Sequence, residues 1–143
     1  MNDIHVREIN FPKDFSAVRL LWENAGPGIH LRRSDDPEEI KKKLQRDPDL
    51  FLVAEVNGTI VGAVVGGFDG RRGMVYHLAV EESFRKRGTG EMLMSELERR
   101  LQGKGCLRCY LLVTTDNASA IRFYEERGWE RMDDVYTYGK DLK

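Results

Sequence analysis

Apolar residues run almost unbroken through Leu50-Phe51-Leu52-Val53-Ala54-Glu55-Val56 and again through Thr59-Ile60-Val61-Gly62-Ala63-Val64-Val65, with only Asn57-Gly58 between them. Two runs of strand length around Asn-Gly predict a β-hairpin, because the tight turn that matches strand twist needs two residues at positive φ. A further turn at Asp69-Gly70-Arg71-Arg72-Gly73 precedes a third run, Met74 to Val80, so the middle of the chain reads as an antiparallel meander. Ile4 and Val6 alternate with polar neighbours as a short first strand does.

Elsewhere the apolar period is close to 3.6. Leu93, Leu97 and Leu101 recur four apart among Glu96, Glu98 and Arg99, which predicts an amphipathic helix ended by Gly103-Lys104-Gly105. Pro12 opens a helical pattern through Phe15, Val18, Leu21 and Trp22, closed by Ala25-Gly26-Pro27-Gly28. A second helix is expected after Ser34-Asp35-Asp36-Pro37, where acidic residues suit the positive end of the helix dipole, through Ile40 and Leu44 to Asp47-Pro48. Leu107 to Val113 reads as a buried strand, and Asp116-Asn117 caps a last helix that stops at Arg127-Gly128. Trp129 to Leu142 is expected to add two short strands around Asp133-Asp134. The expectation is a single α/β domain over residues 1–143.

Composition fits this picture, with 41% hydrophobic and 33% charged residues in 143. The balance of 23 basic against 24 acidic residues gives no global field for nucleic acid or an anionic membrane, so any anion site must be local. With no signal-like start and no long apolar run, a cytoplasmic protein without nucleic-acid or membrane partners is expected. Cys106 and Cys109 form one Cys-x-x-Cys with no second pair and no nearby histidine, which cannot build a four-ligand zinc site. Buried free thiols and no metal are the expectation.

The densest chemical signal is Arg85-Lys86-Arg87-Gly88-Thr89-Gly90, between a strand and the amphipathic helix. Glycines allow close backbone approach, the first-turn N–H groups lack internal partners, and the dipole adds positive charge, which together make an anion cradle. Leu93 stands where a dinucleotide fingerprint needs a third small residue, and the Gly-Lys-Ser/Thr of a P-loop is absent.

Val80 through Gly90 resembles the central motif of the GNAT superfamily, Arg/Gln-x-x-Gly-x-Gly/Ala, matched by Arg85, Gly88 and Gly90. Asn117 through Trp129 is similar to its second signature, Asn-x-x-Ala-x-x-Phe-Tyr-Glu-x-x-Gly-Phe. Glu82 replaces a common proline and Lys86 a frequent glycine, and both changes keep the amides. The pattern is similar to small stand-alone bacterial members of the YpeA-like type. The resemblance implies a mixed, mostly antiparallel sheet of six to seven strands with four helices, and acetyl-coenzyme A as co-substrate. It assigns the coenzyme to Leu78, Ala79, Val80, Arg85, Lys86, Arg87, Gly88, Thr89, Gly90, Asn117, Ala120 and Tyr124. The loop amides hold the pyrophosphate, and a bulge in the strand frees the Leu78 and Val80 N–H groups for the thioester carbonyl.

Acetyl transfer to an amine requires a neutral amine, a stabilised oxyanion and a protonated leaving thiolate. The resemblance places Tyr124 at the sulfur as acid. For the base, Tyr76 and His77 lie where many members carry a glutamate; His77 titrates suitably, and ordered water is the alternative. The segment from Gly26 to Arg33 and a C-terminal pair, Tyr136 and Tyr138, are expected to wall the acceptor groove. The acceptor is read as a small amine, with a protein N-terminal α-amine as the alternative and a non-catalytic coenzyme A sensor as the competing class. A monomer or homodimer fits equally.

Overall fold

The hairpin forms as its sequence requires. β2 (Phe51–Val56) and β3 (Thr59–Phe68) pair antiparallel, and the turn holds Asn57 at φ 52° and Gly58 at φ 80°. In this computed structural model, which describes residues 3–26 and 28–143, β1 (His5–Glu8) pairs with β2 and β4 (Arg72–Val80) with β3, all antiparallel. β5 (Arg108–Leu111) adds in parallel to β4, so the sheet order is β1-β2-β3-β4-β5. The helices are α1 (Phe15–Glu23), α2 (Pro37–Arg46), α3 (Thr89–Gly103) and α4 (Ala118–Glu126).

The mixed α/β class and the four helices match the expectation; the strand number does not. Among the described residues the sheet has five strands rather than six or seven, and Trp129 to Lys143 forms neither of the two expected. Tyr136 and Tyr138 are each 90% exposed, and an apolar segment becomes a strand only where a neighbour satisfies its N–H and C=O groups. β5 also departs from the buried strand expected over Leu107 to Val113: it spans four half-buried or exposed residues at a sheet edge, with Leu107 and Leu112 exposed. Cys109 on this strand and Cys106 just before it are free but half-buried rather than buried. Pro27 lies outside the described residues.

The chain divides into two compact units, Met1–Leu112 and Val113–Lys143. In the first, α1 and α2 cover one sheet face through Phe15, Val18, Trp22 and Ile40 against Phe51, Val53, Ala63 and Val65. α3 covers the other through the fully buried Leu93 and Leu97. Two glycines of β3 set its distance: a Cβ on Gly62 would meet Leu93 Cδ1 at 3.0 Å, and one on Gly66 would meet Leu97 Cδ1 at 2.6 Å. In the second unit, α4 carries the Tyr124 ring against Phe123 and Trp129, with centroids 5.3 and 6.0 Å apart.

Arg7 on β1 ties the first unit's start together, donating to Asp14 Oδ2 at 2.8 Å and lying 3.2 Å from Glu55 Oε1. The Arg7 guanidinium, helped by the Asn10 amide and opposed by burial, holds the Asp14 carboxyl below the usual carboxylate range. A folded pKa below the unfolded value of about 4 gives stability that is complete above that value and vanishes as pH falls through the folded one. Asp14→Asn is therefore expected to melt below the wild type at pH 7, with the gap narrowing towards pH 3. Thermal melts across that range test it, and an equal gap at both ends would remove the ion pair from the account.

Candidate functional site

The site begins with an irregularity in β4. Ala63 pairs with Ala79 and Val65 with Tyr76, so Val64 faces two residues, His77 and Leu78. This is a β-bulge, and His77 takes φ 47°, an uncommon conformation for a residue with a side chain. The inserted residue turns His77 towards α1, where its ring meets Trp22 edge-on at 5.0 Å. Its Nε2 lies 2.9 Å from Asp35 Oδ1. Beside it, burial pushes the Tyr76 hydroxyl up, so this phenol stays protonated at neutral pH.

Beyond Val80 the chain makes a short 3-10 turn, Glu82–Phe84, in which Glu81 caps the Ser83 amide at 3.0 Å. The Arg85 Nε then donates back to the Val80 carbonyl at 3.0 Å, which binds the loop to the end of β4. Lys86 at φ 62° and Gly88 at φ 85° bend the backbone into the first turn of α3. Gly88 is the N-cap, no side chain caps this helix end, and the space where its Cβ would stand is open. Thr89 is buried and donates to the Phe84 carbonyl at 3.2 Å, and the Arg87 guanidinium lies over the Phe84 ring. Arg85, Lys86, Arg87, Gly88, Thr89 and Gly90 thus surround an uncapped helix end carrying the partial charge of its dipole. A cleft of about 840 Å³ runs from α1 past Ile60 to Val80 and Arg85; His77 does not line it.

The first unit brings together Tyr76, His77, Leu78, Ala79 and Val80 on one strand and the cation-rich loop that follows. Asn117, Ala120 and Tyr124 share α4 in the second unit. Asn117 is engaged locally, its Oδ1 accepting from the Ala120 amide at 3.3 Å as the N-cap of α4. Burial pushes the Tyr124 phenol up to about 12. Among the described residues no cluster of three or more His, Cys, Asp or Glu side chains is placed to hold a metal, and no helix is long and apolar enough to cross a membrane.

One residue beside the site escaped sequence reasoning. Asp35 was grouped with Asp36 as acidic residues opening a helix, and only Asp36 is the N-cap of α2. Asp35 sits in a separate 3-10 turn, Arg33–Asp35, is 8% exposed, and accepts from the Arg32 amide as well as facing His77. Two consecutive acids before a proline, of which one helix can use a single cap, were the available signal.

Comparison with known proteins adds an independent line. Residues 16–129 match the sequence profile of a family described as the acetyltransferase (GNAT) family. An acetyltransferase of Pectobacterium atrosepticum is 49% identical over 130 residues, spanning 90% of this chain and 89% of that protein. Ard1 from Thermoplasma volcanium superposes with a TM-score of 0.76 at 29% identity, over 87% of this chain and 81% of that one. Aminoglycoside N-acetyltransferase AAC(6')-Iy, solved in complex with CoA, gives a TM-score of 0.74 at 20% identity over 98% and 96% of the two chains, a likeness of fold alone.

Proposed function

Because this chain belongs to the acetyltransferase (GNAT) family and is an acetyl-transferring enzyme, we propose that it moves the acetyl group of acetyl-coenzyme A to the primary amine of a small metabolite by direct attack in a ternary complex. It acts as one domain over residues 1–143, in the cytoplasm. The observation that carries this reading is the uncapped, left-handed Gly88 entrance to α3, bound by Arg85 to the end of a bulged strand.

The coenzyme's diphosphate lies on the amides from Lys86 to Gly90, with the three neighbouring cations offsetting its charge. The bulge of β4 interrupts the ladder next to Leu78, Ala79 and Val80, and amides released there donate to the thioester carbonyl as its oxygen gains charge. His77 removes a proton from the acceptor ammonium. The amine's freed lone pair then attacks the carbonyl carbon, and the C–S bond breaks when the tetrahedral adduct collapses. Tyr124, protonated at neutral pH, is assigned to the departing sulfur by its match to the family's Phe-Tyr-Glu signature. Asn117 and Ala120 shape the first turn of the helix that presents it.

Thiol release from acetyl-coenzyme A is expected to rise well above background with at least one small amine from a panel that also includes N-terminal peptides. Coenzyme A at a hundred times its dissociation constant should add about 2.7 kcal/mol to stability in a thermal melt. Stabilisation without acceptor-dependent release would leave a coenzyme A sensor. Acceleration by peptides alone would transfer the reading to a protein α-amine.

A further inference from the structure

We infer that Asp35 is the positioning residue of the acceptor-side base, fixing His77 in the tautomer whose Nδ1 is bare and able to take the acceptor's proton; this rests on the reading of His77 given above. The juxtaposition that carries it is a buried carboxylate, the strained strand residue it faces, and a tryptophan that walls the ring.

A carboxylate only accepts hydrogen bonds. The 2.9 Å contact between Asp35 Oδ1 and His77 Nε2 therefore places the ring proton on Nε2 and leaves Nδ1 with its lone pair. Asp35 is itself held in place, because its Oδ2 accepts from the Arg32 amide at 3.0 Å within the 3-10 turn. The His77 ring is fixed on a second side by Trp22, and its backbone is fixed by the bulge. Three elements thus converge on one imidazole: Asp35 from the segment before α2, Trp22 from α1, and β4 itself. Trp22 Nε1 is buried with no partner among the described residues, so the indole contributes shape and no competing hydrogen bond to this cluster.

His77 at φ 47° on a strand is held in an unfavourable conformation, which the surrounding contacts must offset. A tether between a loop and a sheet could use any hydroxyl or amide on a relaxed strand. A carboxylate on a bulged histidine instead reproduces the acid–imidazole arrangement that orients a general base. In the reaction the acceptor's ammonium proton moves to Nδ1, and the Nε2 proton stays in the bond to Asp35, which offsets the imidazolium charge. The amine pair forms the N–C bond, and the C–S pair leaves as thiolate. The adduct's remaining excess proton goes to sulfur, and Nδ1 returns its proton to solvent.

Long-range nitrogen–proton NMR of the free wild type should show His77 predominantly protonated on Nε2, a readout that needs no acceptor and no turnover. Asp35→Asn keeps an oxygen for the Arg32 amide. It is expected to redistribute the proton between the two nitrogens and to lower kcat tenfold or more. The KM for acetyl-coenzyme A and the melting temperature should stay near those of the wild type. The double variant with His77→Asn should be no slower than His77→Asn alone. Protonation of wild-type His77 on Nδ1, or an unchanged kcat in Asp35→Asn, would overturn the assignment, as would losses that multiply in the double variant. If no amine is acetylated at all, the proposed function fails while the tautomer measurement still judges the Asp35–His77 pair.

Discussion

Gly88→Asp is expected to weaken coenzyme A binding about a hundredfold while lowering the free protein's melting temperature no more than Gly88→Asn does. Gly88 sits at φ 85° with open space where a Cβ would go, and aspartate is among the few side chains that tolerate this conformation. Some strain remains, as for any side chain at this φ, and Gly88→Asn carries the same strain without the charge. The added carboxylate would face the proposed position of the diphosphate, and a like charge at ~5 Å costs about 3 kcal/mol at an effective dielectric of ~20. Gly88→Asn, equally at ease at positive φ but neutral, should recover most of the affinity. Titration calorimetry on both variants decides the matter. Equal loss in the two would point to the backbone alone, and no loss in either would place the coenzyme elsewhere.

Tyr124→Phe is expected to cut kcat at least tenfold with acetyl-coenzyme A affinity kept within about twofold. Burial raises this phenol to about 12, so it stays protonated across the range in which the enzyme operates. The same burial weakens it as an acid: complete handover from about 12 to a thiolate of ordinary pKa near 8.5 is uphill by about 5 kcal/mol. On the proposed mechanism its contribution would be a hydrogen bond to sulfur as charge develops, with the adduct's own nitrogen supplying the proton. The rate should consequently show no alkaline loss assignable to this group below about pH 10. Single-turnover kinetics of the variant across pH test both statements. Unchanged turnover would remove Tyr124 from the reaction.

How much of this was legible in the sequence depended on how local the cause was. Asn57-Gly58 sets its turn by the φ values its own residues prefer, and the hairpin follows. Leu93, Leu97 and Leu101 declare one buried helix face, and all three are buried. The glycine entrance to α3 was legible because positive φ at Gly88 and the missing cap are properties of the residue itself. The bulge was not, since nothing in Tyr76-His77-Leu78 announces that Val64 will face two residues. Asp35 was missed for the same reason, because its partner is 42 positions away. The C-terminal strands were over-read: Val135, Tyr136, Tyr138 and Leu142 are apolar enough for strands, yet composition cannot supply a hydrogen-bonding neighbour. A continuous apolar run likewise could not tell that β5 is an edge strand.

The bare backbones of Gly62 and Gly66 have a reach beyond the packing they permit. The loop proposed to hold the diphosphate is the opening turn of the very helix whose Leu93 and Leu97 rest on those two positions, so its height above the bulged strand is set from beneath, by the absence of two methyl groups. On that proposal, ligand affinity is partly written into the interior, at residues that never meet the ligand.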